Sequence, residues 1–367
     1  MDSLSQLALG AAVSVAVMAR RKGSTPTPPL TPPPRRPALW KAAAWGAVAG
    51  SLPDLDVLIS HGDPILDMVL HRAETHALFW LALFSLPFGW LVAWLSGEQA
   101  QWRRWWAAMA LVLLTHPLLD AMTIYGTRLL LPFSDEPLGV GSIFIIDPLY
   151  TLPLLVGLVG ALALRGRAGL RFNVAGLALS TAYLGWGVAA QQHVAGVAAA
   201  ALQQQGITAE RVLVTPTPFN TVLWRVLAVA PDAVHEGFYS LLDGAGGDAG
   251  GDKATAPLHF DRFARDSALD ARLAAAQTPE SPAQALRDFS HGFYRVGASA
   301  DGQQVMITDL RMGQESGYAF NFLVAERVGT GLAAVEPTRQ MGQRLDLDRG
   351  LPWLWQRMWG QRLPPPR

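Results

Sequence analysis

The residues of this sequence that are best suited to chemistry lie in the stretch Thr115–Ser134, which continues an apolar run beginning at Trp105. His116 and Asp120 are four residues apart there, so on a helix they share one face, one turn from each other. Ionisable side chains inside an apolar helix are costly to bury, and they therefore predict a functional site with partner groups nearby. An imidazole beside a carboxylate is typical of metal binding or of acid–base chemistry.

Two further motifs can supply the partner groups. In GSLPDLD, Pro53 ends a helix, and Asp54 and Asp56 follow in a turn. In HRAETH, His71 and His76 stand five residues apart at the start of an apolar segment, with a carboxylate between them. Each residue also has a structural interpretation, since an aspartate at a helix end is commonly a cap and a single histidine is commonly a structural residue.

The available donor atoms define the metal that would fit. The sequence has no cysteine, which excludes thiolate ligands, disulfides and cysteine nucleophiles. Imidazole and carboxylate together suit Zn²⁺, Mn²⁺ or Fe²⁺ better than Ca²⁺, and Zn²⁺ is the ion expected. The motifs could hold one ion, or two ions about 3.5–4 Å apart. The predicted metal ligands are His71, His76, His116, Asp120, Asp54, Asp56 and Asp2.

Other polar residues near these motifs are predicted to have supporting roles. A water molecule on the ion would be the nucleophile, and Glu74 or Asp56 would be its general base. Arg72, Arg128 and Tyr125 are predicted to bind an anionic substrate, with anchoring among lipid headgroups as the alternative for the arginines. The residues expected to support the ligands are Asp147, Thr123 and Thr75. For Asp147 the alternative is a plain N-cap role.

Composition indicates what kind of protein positions these residues. Of the 367 residues, 50% are hydrophobic and 16% are charged, a balance typical of a membrane protein with a soluble part. The formal net charge is zero, so no nucleic-acid partner is predicted, and membrane lipids are the partners expected. The oligomeric state is left open.

Six apolar segments are predicted to cross the membrane, at 4–19, 38–59, 77–95, 105–131, 148–164 and 172–190. Arginine and lysine are concentrated in alternate connections between them, and by the positive-inside rule those connections are cytoplasmic. The N-terminus and everything after residue 190 are then extracytoplasmic. With this topology the candidate ligands all fall toward the outer membrane face, which favours a single site.

The predicted fold class is therefore a polytopic α-helical membrane bundle of about six spans followed by a small soluble α+β domain. Residues 1–190 form the membrane domain, with a proline-rich cytoplasmic loop at 23–37, and residues 191–206 form a linker helix. Residues 207–367 contain short β-rich stretches separated by Gly, Pro and Asp, and they are predicted to form the soluble domain. One helix is predicted there over 260–276.

These motifs together resemble a known family. GSLPDLD, HRAETH, HPLLDAMTIYGTRLLLPFS and DPLYTLPLL, in this order, are similar to the YdjM/YbcI-type inner-membrane proteins described as membrane-bound metal-dependent hydrolases. The resemblance covers about residues 1–165, and the C-terminal part is similar to the appendage of longer members. It implies a multi-pass protein of the bacterial inner membrane. The characteristic polar positions that it implies are Asp54, Asp56, His71, His76, His116 and Asp120, with Asp2 and Asp147 as further matches. Gln6 stands where many members carry histidine.

The expected function is hydrolysis of a lipid-linked or other phosphoester substrate at the outer face of the inner membrane. The alternative is a non-catalytic membrane protein with a structural metal site or an ion or proton path, which the interruptions at Pro53 and Pro117 would suit. A third hypothesis makes the membrane part a tether for the soluble domain. An open coordination position on the metal would favour the enzyme, and a closed shell would favour the structural site.

Overall fold

The structure, a computed structural model, describes residues 1–19, 39–164, 166–243, 258–315, 317–342 and 346–366. The proline-rich loop predicted at 23–37 lies outside these residues. The chain divides into two units: unit 1 comprises residues 1–56, 72–140 and 145–186, and unit 2 comprises residues 57–71, 141–144 and 187–367. The domain boundaries at 190 and 206 stay a prediction.

Helices make up most of unit 1. The described helices of the chain are α1 (Ser3–Ala19), α2 (Leu39–Ser51), α3 (Pro64–Leu70), α4 (Leu78–Leu95), α5 (Trp102–Ala121), α6 (Pro148–Ala163), α7 (Arg167–Gln204), α8 (Ser267–Ala275), α9 (Pro282–Phe289) and α10 (Leu347–Met358). Of these, α3, α8, α9 and α10 belong to unit 2, and α7 starts in unit 1 and continues into unit 2.

Glycines allow α1 and α2 to pack with their backbones in contact. A Cβ added at Gly10 would lie 2.2 Å from the carbonyl oxygen of Gly46, and one added at Gly50 would lie 2.6 Å from the carbonyl oxygen of Gln6. None of these glycines has room for a side chain, so they determine how closely the two helices approach. We call Gly10, Gly46 and Gly50 the glycine seam.

The core of unit 1 is formed by apolar side chains of α1, α2, α4 and α5. Trp105, Met109 and Leu113, at successive turns of α5, are fully buried and share one cluster with Val15 of α1 and Val92 of α4. Each fully buried side chain of this size stabilises the fold by roughly 1.5–3 kcal/mol. This packing holds the end of α5 in place.

Two short 3₁₀ turns and the last turns of α5 carry the polar motifs. The first 3₁₀ turn, Pro53–Leu58, directly follows α2 and contains both aspartates of the PDLD motif. The second, Glu74–His76, leads into α4. α5 passes through its internal proline and ends at Ala121, so His116 and Asp120 lie in its final turns.

The predicted six-span bundle is wrong. Within the described residues one helix, α4, is long and apolar enough to cross a membrane, and the apolar helices α1 and α6 are shorter. α2 has only 13 residues because the PDLD turn interrupts the second apolar segment, and α5 ends at residue 121 instead of 131. The fold mixes helices with antiparallel sheets. The orientation deduced from six spans therefore loses its basis.

Antiparallel sheets characterise unit 2. Its described strands are β1 (Arg211–Pro216), β2 (Leu223–Val229), β3 (Ala233–Ser240), β4 (Asp261–Ala264), β5 (Tyr294–Ala298), β6 (Gln304–Asp309), β7 (Gly313–Gln314), β8 (Gly317–Tyr318), β9 (Asn321–Val328) and β10 (Gly331–Gln340). The strand orders are β1-β2-β3-β4, β10-β9-β6-β5 and β7-β8. The helix predicted over 260–276 begins only at residue 267, because residues 261–264 pair with β3 as a strand.

A buried ion pair links two strands of the first sheet. Arg225 of β2 donates from Nε to Oε1 of Glu236 of β3 over 2.7 Å, and both residues are buried. The guanidinium also donates to the Leu310 carbonyl over 2.8 Å and to the Tyr318 hydroxyl over 3.2 Å. Burial opposes the positive charge, but Glu236 outweighs this effect and raises the pKa of Arg225. The guanidinium stays charged and depends on its carboxylate partner.

Replacing Glu236 with Ala should therefore lower the free energy of unfolding by about 3–5 kcal/mol, because a buried guanidinium is left uncompensated. Asp232→Ala, which removes the partner of Arg262 in a solvent-exposed ion pair, should leave the melting temperature unchanged. Thermal melting of the full-length protein in detergent, followed by circular dichroism, measures both. Equal melting temperatures for the two variants would contradict the importance given to the buried pair.

Candidate metal centre

Four side chains of unit 1 converge at one point. Nε2 of His76 lies 3.1 Å from Nε2 of His116, 3.3 Å from Oδ2 of Asp120 and 3.4 Å from Oδ1 of Asp54. Nε2 of His116 lies 3.5 Å from the same Asp54 oxygen and 3.3 Å from Oδ2 of Asp120. These four donor atoms all lie within 4.8 Å of one another. We call Asp54, His76, His116 and Asp120 the four-residue cluster.

The spacing of these atoms matches the ligand shell of a single ion. A tetrahedral Zn²⁺ with bonds of about 2.0–2.1 Å separates neighbouring ligand atoms by about 3.3 Å. The five distances given above run from 3.1 to 3.5 Å. Two imidazole nitrogens and two carboxylate oxygens are also the donor types that such an ion takes. The cluster therefore fits one divalent metal ion, and its identity is open among Zn²⁺, Mn²⁺ and Fe²⁺.

Hydrogen bonds orient both imidazoles for ligation. Nδ1 of His116 lies 2.7 Å from the carbonyl oxygen of Gly50, which only accepts, so this nitrogen carries the proton. The hydroxyl of Thr75 donates to Oδ2 of Asp56 over 2.7 Å and lies 2.9 Å from Nδ1 of His76, so its oxygen accepts the proton of that nitrogen. In both rings the lone pair of Nε2 then faces the cluster. A backbone carbonyl fixes the ring of His116, and a hydroxyl held by a carboxylate fixes the ring of His76.

The burial of the cluster favours a positive charge at its centre. His76, His116 and Asp120 are at most 1% exposed, and Oδ2 of Asp120 accepts no hydrogen bond from the described residues. A buried carboxylate oxygen without a hydrogen-bond donor is destabilising. A proton on one of the two nearby imidazoles, or a cation at the centre, would compensate it. The side chain of Asp54 is 23% exposed, so it alone of the four meets solvent.

The pKa values of His116 and Asp54 are also shifted toward the charged forms of both groups. Burial opposes a charged imidazole, but the carboxylates of Asp120 and Asp54 outweigh it and raise the pKa of His116 to about 9. Burial also opposes ionisation of Asp54, but His116 and His76 outweigh it and lower the pKa of this carboxyl. Without a metal the cluster thus holds a proton, which a divalent cation would displace.

Arg72 supports the cluster from a strained backbone conformation. Its φ is 65°, in the left-handed region, which few residues other than glycine adopt. Its N–H donates to Oδ2 of Asp56 over 2.9 Å, and its guanidinium lies 3.4 Å from Oδ1 of Asp120 and 4.9 Å above the Tyr125 ring. Nη1 donates weakly to the Thr123 hydroxyl, which in turn donates to the backbone carbonyl of Asp120 over 2.7 Å.

The structure places the other predicted residues outside the four-residue cluster. Asp56 supports it by accepting a hydrogen bond from the Thr75 hydroxyl. Glu74 lies on the same 3₁₀ turn as Thr75, and its side chain is exposed. Asp2 accepts hydrogen bonds from the backbone and hydroxyl of Ser5, in the first turn of α1. His71 belongs to unit 2, where it is the C-cap of α3. Arg128 contacts the site region through its backbone, since its N–H donates to the Arg72 carbonyl. Asp147 is the N-cap of α6 and accepts from the Tyr183 hydroxyl over 2.9 Å.

The sequence analysis did not predict that Gln6 supports the cluster by hydrogen bonding. Gln6 of α1 is 1% exposed, and its Nε2 donates to Oδ1 of Asp120 over 3.0 Å and to the His116 backbone carbonyl over 3.3 Å. The amino group of Met1 also donates to Oδ1 of Asp120. A glutamine inside an apolar helix was the available signal, because its amide needs a buried partner.

A family comparison bears on this site. The model of the YdjM inner membrane protein family matches residues 1–194, just over half of the chain. The chain belongs to the YdjM inner membrane protein family. This confirms the resemblance drawn from the motifs, and all four residues of the cluster lie within the matched range. No curated protein and no solved structure matches the chain.

Membership places the chain in a family described as inner membrane proteins. In this YdjM-family protein, α4 has the length and apolarity of a membrane helix, and large side chains such as Leu83, Trp90 and Trp94 are exposed along it. The extracytoplasmic location of the C-terminal part stays a prediction.

Metal content tests the cluster directly. The purified protein should carry about one divalent ion per chain, and His116→Ala and Asp120→Ala should each lose it, because each removes a donor atom from a four-atom shell. Glu74→Gln, an exposed change on the neighbouring turn, is the matched control and should retain the ion. Elemental analysis after detergent purification gives the stoichiometry. Full occupancy in both cluster variants would rule the site out.

Thr75→Val tests the hydrogen bonds that orient His76. The change keeps the shape of the side chain but removes the oxygen that accepts from Nδ1, and we expect metal affinity to fall about 10–100-fold. Thr115→Val is the control, because its hydroxyl bonds only backbone carbonyls one turn earlier in α5. Titration against a competing chelator measures both affinities. Unchanged affinity in Thr75→Val would contradict the tautomer assigned to His76.

Proposed function

We propose that this YdjM-family protein is a metal-dependent hydrolase of the inner membrane, acting on a phosphoester that is accessible from the membrane. The observation that carries the proposal is the unequal exposure of the cluster: three of its residues are buried, and Asp54 meets solvent. A buried donor set with one solvent-facing side gives water and substrate a direction of approach. Family membership and the donor set are compatible with this function.

In this proposal His76, His116 and Asp120 would hold the ion through Nε2, Nε2 and Oδ2. When bound, the ion supplies Lewis-acid stabilisation of the phosphoryl oxygens and lowers the pKa of a coordinated water molecule. The chain orients these donors through Gly50, Thr75 and Arg72, as described above. Because each of these contacts is made inside unit 1, the donor geometry is set before a substrate arrives.

Asp54 has the proton-transfer role in this mechanism. Its side chain is 23% exposed, so among the four residues it is the one that a water molecule from solvent reaches first. It accepts a proton from the attacking water as the water oxygen bonds to phosphorus, and the bond from phosphorus to the leaving oxygen breaks. The same proton then passes to that leaving oxygen. Asp54 thus takes the place of Glu74 and Asp56, the bases expected from the sequence.

A structural metal site is the second candidate, and one observation favours it. Five of the distances among the four donor atoms, from 3.1 to 3.5 Å, match a tetrahedral shell. Closed shells of four protein ligands are typical of structural zinc. In that case Asp54 is a permanent ligand. The two candidates differ in whether an external ligand can enter the shell.

Cobalt substitution separates them. If Asp54 leaves room for an external ligand, adding inorganic phosphate to the Co²⁺-loaded protein should change its visible absorption spectrum, and Asp54→Asn should retain Co²⁺. The Zn²⁺- or Mn²⁺-loaded protein should also hydrolyse bis-p-nitrophenyl phosphate, and Asp54→Asn should lower this rate about 10²–10⁴-fold, the contribution of a general base. A spectrum insensitive to phosphate, together with loss of Co²⁺ in Asp54→Asn, would overturn the hydrolase proposal and support the structural site.

A further inference from the structure

An exposed apolar stripe runs along α10, the last helix of unit 2. Leu347, Leu351, Trp355 and Trp359 follow one another at intervals of four residues and are 60%, 47%, 59% and 56% exposed. Residues at this spacing are neighbours on one side of a helix. The two indole rings meet edge to face with their centroids 5.7 Å apart. We call these four residues the Leu–Trp stripe.

The other side of α10 is firmly attached to unit 2. Arg357 donates to both carboxylate oxygens of Asp243, over 2.5 and 2.6 Å, and to the backbone carbonyl of Phe238 over 2.8 Å. The Trp353 ring packs edge to face on the Phe238 ring, and its Nε1 donates to the Leu363 carbonyl. The helix is thus fixed through one side, and the Leu–Trp stripe is a defined feature of the surface.

The area of the stripe is too small for a stable protein interface. An aromatic side chain contributes about 150–250 Å² of contact area, so the exposed parts of the four side chains provide on the order of 500 Å². Specific protein interfaces bury about 800 Å² on each partner. A second copy of this chain, or another protein, would therefore need contacts beyond those that the stripe offers.

A bilayer surface has no such minimum area, and the stripe has the chemistry that suits it. Tryptophan is enriched at the level of the lipid headgroups, and helices with one apolar side lie in that plane. At 12 residues α10 is about 18 Å long, which is too short to cross the hydrocarbon core. The chain belongs to an inner membrane family, so a bilayer is always close by.

We propose that α10 lies in the headgroup region of the membrane and inserts the Leu–Trp stripe among the lipids. The binding is apolar in origin, because all four side chains of the stripe are uncharged. It therefore needs no anionic lipid and is insensitive to salt. This inference does not depend on the metal centre or on hydrolysis.

The absence of cysteine from the chain makes a clean test available. Leu351→Cys in the stripe and Gln356→Cys, an exposed position on the same helix outside the stripe, give singly labelled full-length proteins. Each carries a nitroxide label in phosphatidylcholine nanodiscs, and power-saturation EPR compares its accessibility to oxygen, which partitions into lipid, and to a water-soluble nickel chelate. Unchanged metal content and melting temperature show that both variants are folded.

The expected oxygen-to-nickel accessibility ratio is several-fold higher at residue 351 than at residue 356, and equal at low and high salt. Equal ratios at the two positions would place the stripe in water and overturn the proposal. A label at 351 that is shielded from both reagents would indicate a protein contact and would also overturn it. A ratio that falls at high salt would contradict the apolar origin of the binding.

Discussion

The convergence of two carboxylates on one buried point is the constraint on which the rest of unit 1 depends. Like charges this close destabilise each other unless a cation or proton lies between them. The two imidazoles, the guanidinium of Arg72 and the amide of Gln6 all reduce that destabilisation. The left-handed backbone at Arg72 is part of the same arrangement, since it directs the N–H of this residue to Asp56 while its side chain reaches Asp120.

The sequence located the motifs of the site but could not choose among the residues within them. The spacing of His116 and Asp120 was sufficient, because a helix puts positions four apart on one side. PDLD contains two aspartates and HRAETH two histidines. Only the path of the 3₁₀ turns decides that Asp54 and His76 enter the cluster while Asp56 supports it through Thr75. The path of such a turn follows no repeating sequence pattern, so it could not be predicted from the spacing of the residues.

The error in the fold has a different origin. Hydrophobicity identifies segments that avoid water, but a helix can do this by packing on another helix as well as by facing lipid. The small residues of α1 and α2 allow close helix packing, and the polar end of α5 supplies two residues of the four-residue cluster. Counting apolar segments as spans therefore overestimated their number, and the orientation derived from them had no independent support.

The glycine seam links helix association to the state of the metal centre. Gly50 fits closely against α1, and its carbonyl oxygen accepts the Nδ1 proton of His116. On the α1 side, the backbone of Gln6 touches this glycine while its amide bonds Asp120. Separating the two helices would therefore disturb two ligands at once, and by reciprocity an occupied centre holds the helices together. An ion in the four-residue cluster would then slow the unfolding of unit 1 as well as complete the cluster.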